Sequence, residues 1–439
     1  MNRDAVRDAA WLHAAPLRAV LTALNGAGEE TRIVGGAVRD ALMGFAVGDV
    51  DLATTALPEE VIRRASEAGL KAVPTGLAHG TVTVVSAGIG FEVTSLREDV
   101  ETDGRHAVVR FGRDWALDAR RRDFTINALF ATADGAIIDL VDGLPDVAAR
   151  RVRFIGDAGA RIREDHLRIL RLFRFHARFG GGEIDPAALT AAIRNRAGVA
   201  ALSRERVRAE LLKLLVAAHA APTLRTMSET GFLAPILAGV PDLAGLDRLV
   251  ALEHALGLEP DPMRRLGVLA VRVREDAERL GERLRLSKAQ HRRLLGLAEQ
   301  TVSTGLAAHE ARASLYRRGR AAFEDALLLT AARARATAPE VTRLLGLAQS
   351  WEVPRRPFRA ADFLARGLKP GPALGLAVSR AEAAWIDADF PEDPAAFAAM
   401  ADAACAQVSG DAPLGRRGSA EDGAGSDASE PGEGATPSP

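Results

Sequence analysis

An α+β amino-terminal head built on a small mixed sheet, followed by an all-α remainder, is the fold class this sequence predicts. Three observations carry the prediction. Short alternating runs separated by glycine turns are confined to residues 31–155. Beyond Asp157 the strand signals cease, and helical periodicity continues to about residue 405. The composition agrees: 48% of the 439 residues are hydrophobic and only 5% aromatic, with a single tyrosine, while the helix formers Ala, Leu and Arg dominate. The length exceeds that of one typical domain. We expect a head over 1–150, a helical neck over 151–215, a helical body and tail over 216–408, and a disordered acidic tail over 409–439, where large apolar residues are almost absent.

Taken in order, residues 5–25 read as a helix with Trp11, Leu17, Val20, Leu21 and Leu24 on one face. The next stretch, RIVGGAVRDALMGFAVGDVDLATT (residues 32–55), organises the chain. A short apolar run meets Gly35-Gly36, a helix-compatible segment follows through Met43, and Asp49-Val50-Asp51-Leu52 then alternates polar with apolar. On a strand, residues two apart share a face, so Asp49 and Asp51 would stand side by side with Val50 and Leu52 turned into the core. Paired carboxylates repel unless a cation sits between them. Hard oxygen ligands with a phosphate substrate suit Mg2+. The Gly-Gly corner, ahead of a helix start, can let backbone approach an anion. Taken alone, D-x-D is most often a solvated turn; G-x-G-x-x-G and the Walker sequence are both absent.

Pro58 opens a helix that Gly69 closes, and strands are expected over 81–86 and 91–96. Glu92, on the second of these, can join the aspartates if its strand lies beside theirs. Residues 97–112 are charged and contain the turn signal Asp103-Gly104, which reads as a solvated loop. Arg120-Arg121-Arg122 leads directly into the half-apolar Asp123-Phe124-Thr125-Ile126-Asn127-Ala128, so part of this arginine run must lie near the core. Strands are expected over 136–141 and 151–155. A single helix is expected over 160–179, with Asp165, Arg168, Arg171 and Arg174 at every third position. Such a stripe is ordinarily solvated. A carboxylate and a guanidinium together can also present an acceptor and donors to the edge of a base. Ser203 is a good N-cap, although Arg206 stands where a capping box wants Glu or Gln. Helices follow over 222–230, 244–256, 263–282, 288–306, 307–335, 339–350, 360–367 and 378–390.

The motifs G-G-x-V-R-D, D-x-D, F-E-V-T-S-L-R, R-R-D-F-T-I-N-A and E-D-x-L-R-x-x-R-x-x-R-F, in this order, resemble those of the class II tRNA nucleotidyltransferase and poly(A) polymerase family. The resemblance covers about residues 31–215. It implies a nucleotidyltransferase head, with Asp49 and Asp51 as catalytic metal ligands for Mg2+ and Glu92 as a third acid. Gly36, Arg39 and Arg122 would bind the triphosphate, with Asp123 and Asn127 shaping the site. Asp165 and Arg168 would select the base of CTP or ATP, with Arg171 and Arg174 making further nucleotide contacts. The body and tail would hold tRNA. G-L-A-H-G-T-V-T-V (residues 76–84) resembles the CCA-adding branch, while A-adding enzymes and poly(A) polymerases share the other motifs. A catalytically dead RNA-binding protein and a small-molecule adenylyltransferase are the readings from other classes.

Net charge is −1, but residues 411–439 carry net −4, leaving about +3 on the remainder, a modest footprint for phosphate. The single Cys405 excludes an internal disulfide and suits a reducing cytoplasm. No apolar run is long enough to cross a membrane, so no membrane partner is expected.

Overall fold

A computed structural model describes residues 3–103 and 106–410. Gly104 of the expected turn and the acidic segment 411–439, expected to be disordered, lie outside the described residues. The chain forms two compact units, one of residues 1–308 with 318–350, the other of residues 309–317 with those from 351 on.

The first unit contains both sheets. Its strands are β1 (Thr31–Val34), β2 (Asp51–Thr54), β3 (Lys71–Gly76), β4 (Thr81–Ser86), β5 (Ile89–Ser95), β6 (Arg97–Asp103), β7 (His106–Phe111), β8 (Leu129–Ala131) and β9 (Ile137–Asp139). Seven form one mixed sheet in the order β3-β4-β5-β2-β1-β8-β9, while β6 and β7 form a separate ribbon. Only β2 and β5 run parallel. Val34, Ala53, Ala128, Phe130 and Ile155 pack into a core on which Trp115 rests. From Gly143 on, all regular structure among the described residues is helical. No described helix is long and apolar enough to cross a membrane.

Several elements depart from expectation for identifiable reasons. The amino-terminal helix begins only at Ala15, as α1 (Ala15–Leu24), because Pro16 belongs in a first turn. Leu17, Val20, Leu21 and Leu24 are buried on its inner face, as expected. β3 was not expected, since Pro74 interrupts it; it is tolerated because β3 is an edge strand with an irregularity between Val73 and Gly76. In the charged segment, Arg97–Asp103 and His106–Phe111 pair as a β-ribbon and do not form a loop. Residues 151–155 make no strand, only a bridge between Phe154 and Phe124. Arg151 and Arg153 there turn onto the buried carboxylate of Asp146, Nε to oxygen 2.6 and 2.8 Å.

The expected strand through Asp49 is also shorter. β2 begins at Asp51, which pairs with Val34, the last residue of β1. Gly35 then turns the chain away into α2 (Gly36–Met43), so Asp49 has no strand to pair with. Asp49 sits on the exposed approach to the sheet and not beside Asp51 on a strand. The helix expected over 160–179 is two helices, α6 (Ala158–Glu164) and α7 (Leu167–Phe179). The break is chemical. Asp165 takes an extended conformation, and its Oδ1 accepts the Leu167 amide at 3.0 Å, a local bond that competes with helix continuation.

Further on, Gly319 (φ +79°) divides 307–335 into Ala308–Arg318 and Arg320–Ala334. The span 263–282 likewise divides into Pro262–Ala270 and Arg274–Arg283. Two arginines of this helical region are engaged internally: Arg293 joins Asp325 and Asp261, and Arg312 joins Asp389. The second unit closes around Phe358, Phe363, Trp385 and Phe390.

Candidate active site

The cleft of the first unit lies at the end of the sheet where β1 stops and β2 starts. It encloses about 630 Å3 and is walled by Gly35, Gly36, Asp51, Glu92, Arg122 and Asp165, among others. The parallel register of β2 and β5 decides its acidic wall. Leu52 pairs with Val93 and both are buried, so Asp51 and Glu92, one step earlier on each strand, project together on the opposite, open face. Withdrawal of Asp51 from bulk water in the cleft raises its pKa above the ordinary value; repulsion from Glu92 and then Asp49 adds to this, and Arg122 opposes it. Asp49 thus acts on Asp51 electrostatically without forming part of the cleft wall.

Among the described residues no three carboxylate, His or Cys groups converge as a complete metal cage. Asp51 and Glu92 offer hard oxygens facing one cleft. This donor set fits a divalent cation that takes its other ligands from water and substrate phosphates.

The Gly-Gly corner follows Val34, the strand partner of Asp51. Gly35 has φ +71° and ψ −110°, a conformation essentially restricted to glycine. A Cβ there would lie 3.3 Å from the Asn127 carbonyl oxygen and 3.9 Å from Arg122 Nη1. Sequence reasoning singled out Gly36, which opens α2 and lines the cleft, but Gly35 is the residue the backbone demands. Gly35→Ala is expected to cost about 1–3 kcal/mol of stability by denaturant unfolding, from backbone strain alone.

The basic wall is built from below. Helix α4 (Trp115–Arg120) carries Asp118, only 1% exposed. Arg121 donates Nε and Nη2 to its Oδ1 at 2.9 and 2.6 Å, and Arg122 donates Nε and Nη2 to Oδ2 at 3.1 and 2.9 Å. One carboxylate thereby fixes both guanidiniums at the cleft. Burial is the largest influence on Asp118 and raises its pKa, yet the charges and hydrogen bonds of Arg122 and Arg121 outweigh it and hold the carboxyl below the ordinary range.

Arg39 lines the cleft but is 6% exposed and already engaged. It donates to Asp40 Oδ1 from Nε at 2.8 Å and to Asn127 Oδ1, and it lies 4.1 Å over the Phe179 ring. Burial works against its charge and lowers its pKa, while contact with Asp40 opposes the shift. Arg39 is therefore part of the floor, fixing Asn127. Asp123 continues that floor: its Oδ1 accepts from the Phe124 amide (2.9 Å) and Asn127 Nδ2 (3.1 Å), and its Oδ2 accepts from Arg171 Nε (2.6 Å). Burial would raise the Asp123 carboxyl, but Arg171 and these hydrogen bonds bring it net down.

Asp165 and Arg168 both line the cleft without bonding to each other through their side chains. Asp165 Oδ2 accepts from Arg206 Nη2 at 2.6 Å, the donor coming from α9 (Arg204–Leu215). Arg168 Nη1 donates to Glu164 and to the Arg161 carbonyl, the latter at 3.0 Å. The carboxylate keeps spare lone pairs and the guanidinium spare N–H groups, so the two still offer an acceptor and donors at one rim. Arg171 lines the cleft; Arg174 does not, because it turns onto Glu210 of α9 and lies 4.2 Å over the Phe175 ring.

Of the twelve residues singled out from sequence, ten line this one cleft: Gly36, Arg39, Asp51, Glu92, Arg122, Asp123, Asn127, Asp165, Arg168 and Arg171. Asp49, on the exposed approach to β2, and Arg174, turned onto Glu210, are not part of its lining. Sequence reasoning missed Asp118 and Arg206 as parts of the site. The signals were present: Asp118 precedes Arg121 and Arg122 by three and four residues, the spacing of helical neighbours, and Arg206 was the misfit in a capping position.

A glycine-cornered, acid- and arginine-walled cleft at the end of a mixed sheet is the arrangement of a nucleotidyltransferase head, and the comparisons identify which kind. Residues 31–153 match the poly A polymerase head domain. Residues 182–246 match a domain described as the probable RNA and SrmB-binding site of polymerase A. The chain is 36% identical to the mitochondrial CCA tRNA nucleotidyltransferase 1 of Danio rerio, over 81% of this chain and 83% of that protein. It is 33% identical to a CCA-adding enzyme of Levilactobacillus brevis, over 88% of this chain and 97% of that one. The crystal structure of the Bacillus stearothermophilus CCA-adding enzyme in complex with CTP superposes with a TM-score of 0.69 at 26% identity, covering 90% of this chain and 98% of that one. The chain belongs to the class II CCA-adding and poly(A) polymerase family of nucleotidyltransferases.

Proposed function

We propose that this protein is a CCA-adding tRNA nucleotidyltransferase, transferring CMP and AMP from CTP and ATP to the 3′ end of tRNA with release of pyrophosphate. The observation that carries this reading is the convergence of Asp51 and Glu92, the Arg121–Arg122 pair and the Asp165–Arg168 rim on one cleft. Relatives spanning nearly their whole length with this chain bear CCA-adding names, which supports the same substrates here.

In the proposed reaction the terminal ribose hydroxyl attacks the α-phosphorus. A new P–O bond forms, the bond to the β-phosphate oxygen breaks, and pyrophosphate departs. Asp51 and Glu92 would hold Mg2+ from the cleft wall, with Asp49 approaching it from the exposed segment before β2, and the ion when bound supplies charge neutralisation at the phosphates and activation of the hydroxyl. Gly35, Gly36 and Arg122 receive the triphosphate, Arg122 being suited by its planar fork and permanent charge. Arg39 and Asp123 keep Asn127 and Arg171 in place. Asp165 accepts from the exocyclic amino group common to cytosine and adenine, while Arg168 donates to their acceptors. Uracil and guanine present a carbonyl oxygen where that amino group stands, and they are rejected. We read residues 1–150 as the catalytic head, 151–215 as the neck, and 216–408 as the body and tail that hold tRNA. The single Cys405 suits work in a reducing compartment such as the cytoplasm.

The test is nucleotide choice. Under single turnover on tRNA lacking its 3′ end, the wild type should incorporate CTP and ATP and exclude UTP and GTP. Asp165→Ala should accept all four with the preference reduced by roughly 10- to 100-fold, the worth of one lost discriminating hydrogen-bond pair. Unchanged selectivity in that variant would remove Asp165 from base choice.

A further inference from the structure

A second cavity, of about 500 Å3, lies apart from the catalytic cleft in the same unit and shares none of its lining residues. Its walls are the end of α8 (Pro186–Arg194), the 3-10 turn Arg196–Ala201, the start of α9, the short helix Leu233–Leu237, and the end of the helix Arg274–Arg283. The floor is apolar, with Val207, Phe232 and Ile236 buried beneath it. Four arginines stand around it: Arg194, Arg196, Arg204 and Arg283.

Three of them are held by backbone carbonyls rather than by carboxylates. Arg196 donates to the Thr230 carbonyl (2.7 Å), Arg204 to the Glu282 carbonyl (3.1 Å) and Arg283 to the Pro235 carbonyl (2.9 Å). None of the four has a carboxylate ion-pair partner among the described residues. Carbonyl contacts fix three of the guanidiniums without neutralising them, and these charges line one half-enclosed apolar space together with Arg194. Arginine both pairs phosphate oxygens and stacks on flat rings, and the volume is that of a small-molecule site.

We propose that this cavity is a second ligand site, taking a phosphorylated ligand with one flat ring, of the nucleoside phosphate class. Its position gives such a ligand a route to the template residues. The turn Arg196–Ala201 backs directly onto His166, the neighbour of Asp165: Gly198 lies so close to the His166 ring that no Cβ would fit. The first turn of α9 presents Arg204 to this cavity and Arg206 to Asp165.

ADP titrated calorimetrically into the full-length protein tests the assignment, compared with Arg196→Glu/Arg283→Glu and with Ala197→Trp, which fills the mouth from an exposed position without removing an arginine. Each variant should bind one equivalent of ADP fewer than the wild type while keeping the wild-type circular dichroism spectrum and thermal unfolding transition, which report an intact fold. If the double variant fails to fold, Ala197→Trp decides alone. Equal stoichiometry in the wild type and a folded variant overturns the proposal.

Discussion

Asp51→Asn is expected to abolish nucleotide transfer, by roughly a thousandfold or more if the bound cation contributes several kcal/mol, while the protein stays folded. The substitution is nearly isosteric and removes one charge from the open face that Asp51 shares with Glu92. In metal-free buffer it should also be at least as stable as the wild type. The folded-state carboxyl is raised by its withdrawal from water, by Glu92 and by Asp49. A raised carboxyl binds its proton more tightly in the folded than in the unfolded chain, so its ionised form costs stability above the folded pKa, and that cost fades as the pH falls through the folded value and is gone below the unfolded one. Loss of activity with retained or increased thermal stability would mark Asp51 as functional rather than structural. Near-normal transfer by this variant would remove it from the reaction.

Asp118→Ala should combine a large stability loss with a raised KM for nucleotide. Removing one partner of a buried ion pair typically costs about 3–5 kcal/mol, because the remaining charge is left uncompensated. Here two guanidiniums would be left. Since the Asp118 carboxyl is held low, its contribution is complete at neutral pH and fades only as the pH falls through the folded value, below the ordinary 3.8. Denaturant unfolding of the variant against the wild type at pH 7 measures the loss. KM should rise more than kcat falls, since Arg121 and Arg122 lose their common anchor while the acids across the cleft remain. A variant with wild-type stability and KM would show that the arginines need no such anchor.

What the sequence made legible was local chemistry with a short period. The strand through Glu92 was legible, with its meeting the aspartates conditional on strand adjacency, and part of the arginine run was expected near the core. What it hid depended on tertiary competition. The break at Asp165 arises because a carboxylate outbids the helix for the Leu167 amide, and nothing in an every-third-residue pattern signals that. The shortening of β2 follows from where β1 ends, which Gly35 decides with a backbone angle. β3 was hidden because proline argues against a strand until its edge position is known. Arg39 reads as a free phosphate ligand, yet packing under the Phe179 ring makes it a brace for Asn127.

The most direct measurement uses tRNA transcripts ending at the discriminator base, at C and at CC, each incubated with CTP, ATP or both. The account predicts ordered addition of C, C and A, stopping after A, from whichever end the transcript presents. Addition of A to the CC-ended transcript alone, or open-ended A tails on any RNA, would contradict it. The first result would make the protein an A-adding enzyme and the second a poly(A) polymerase.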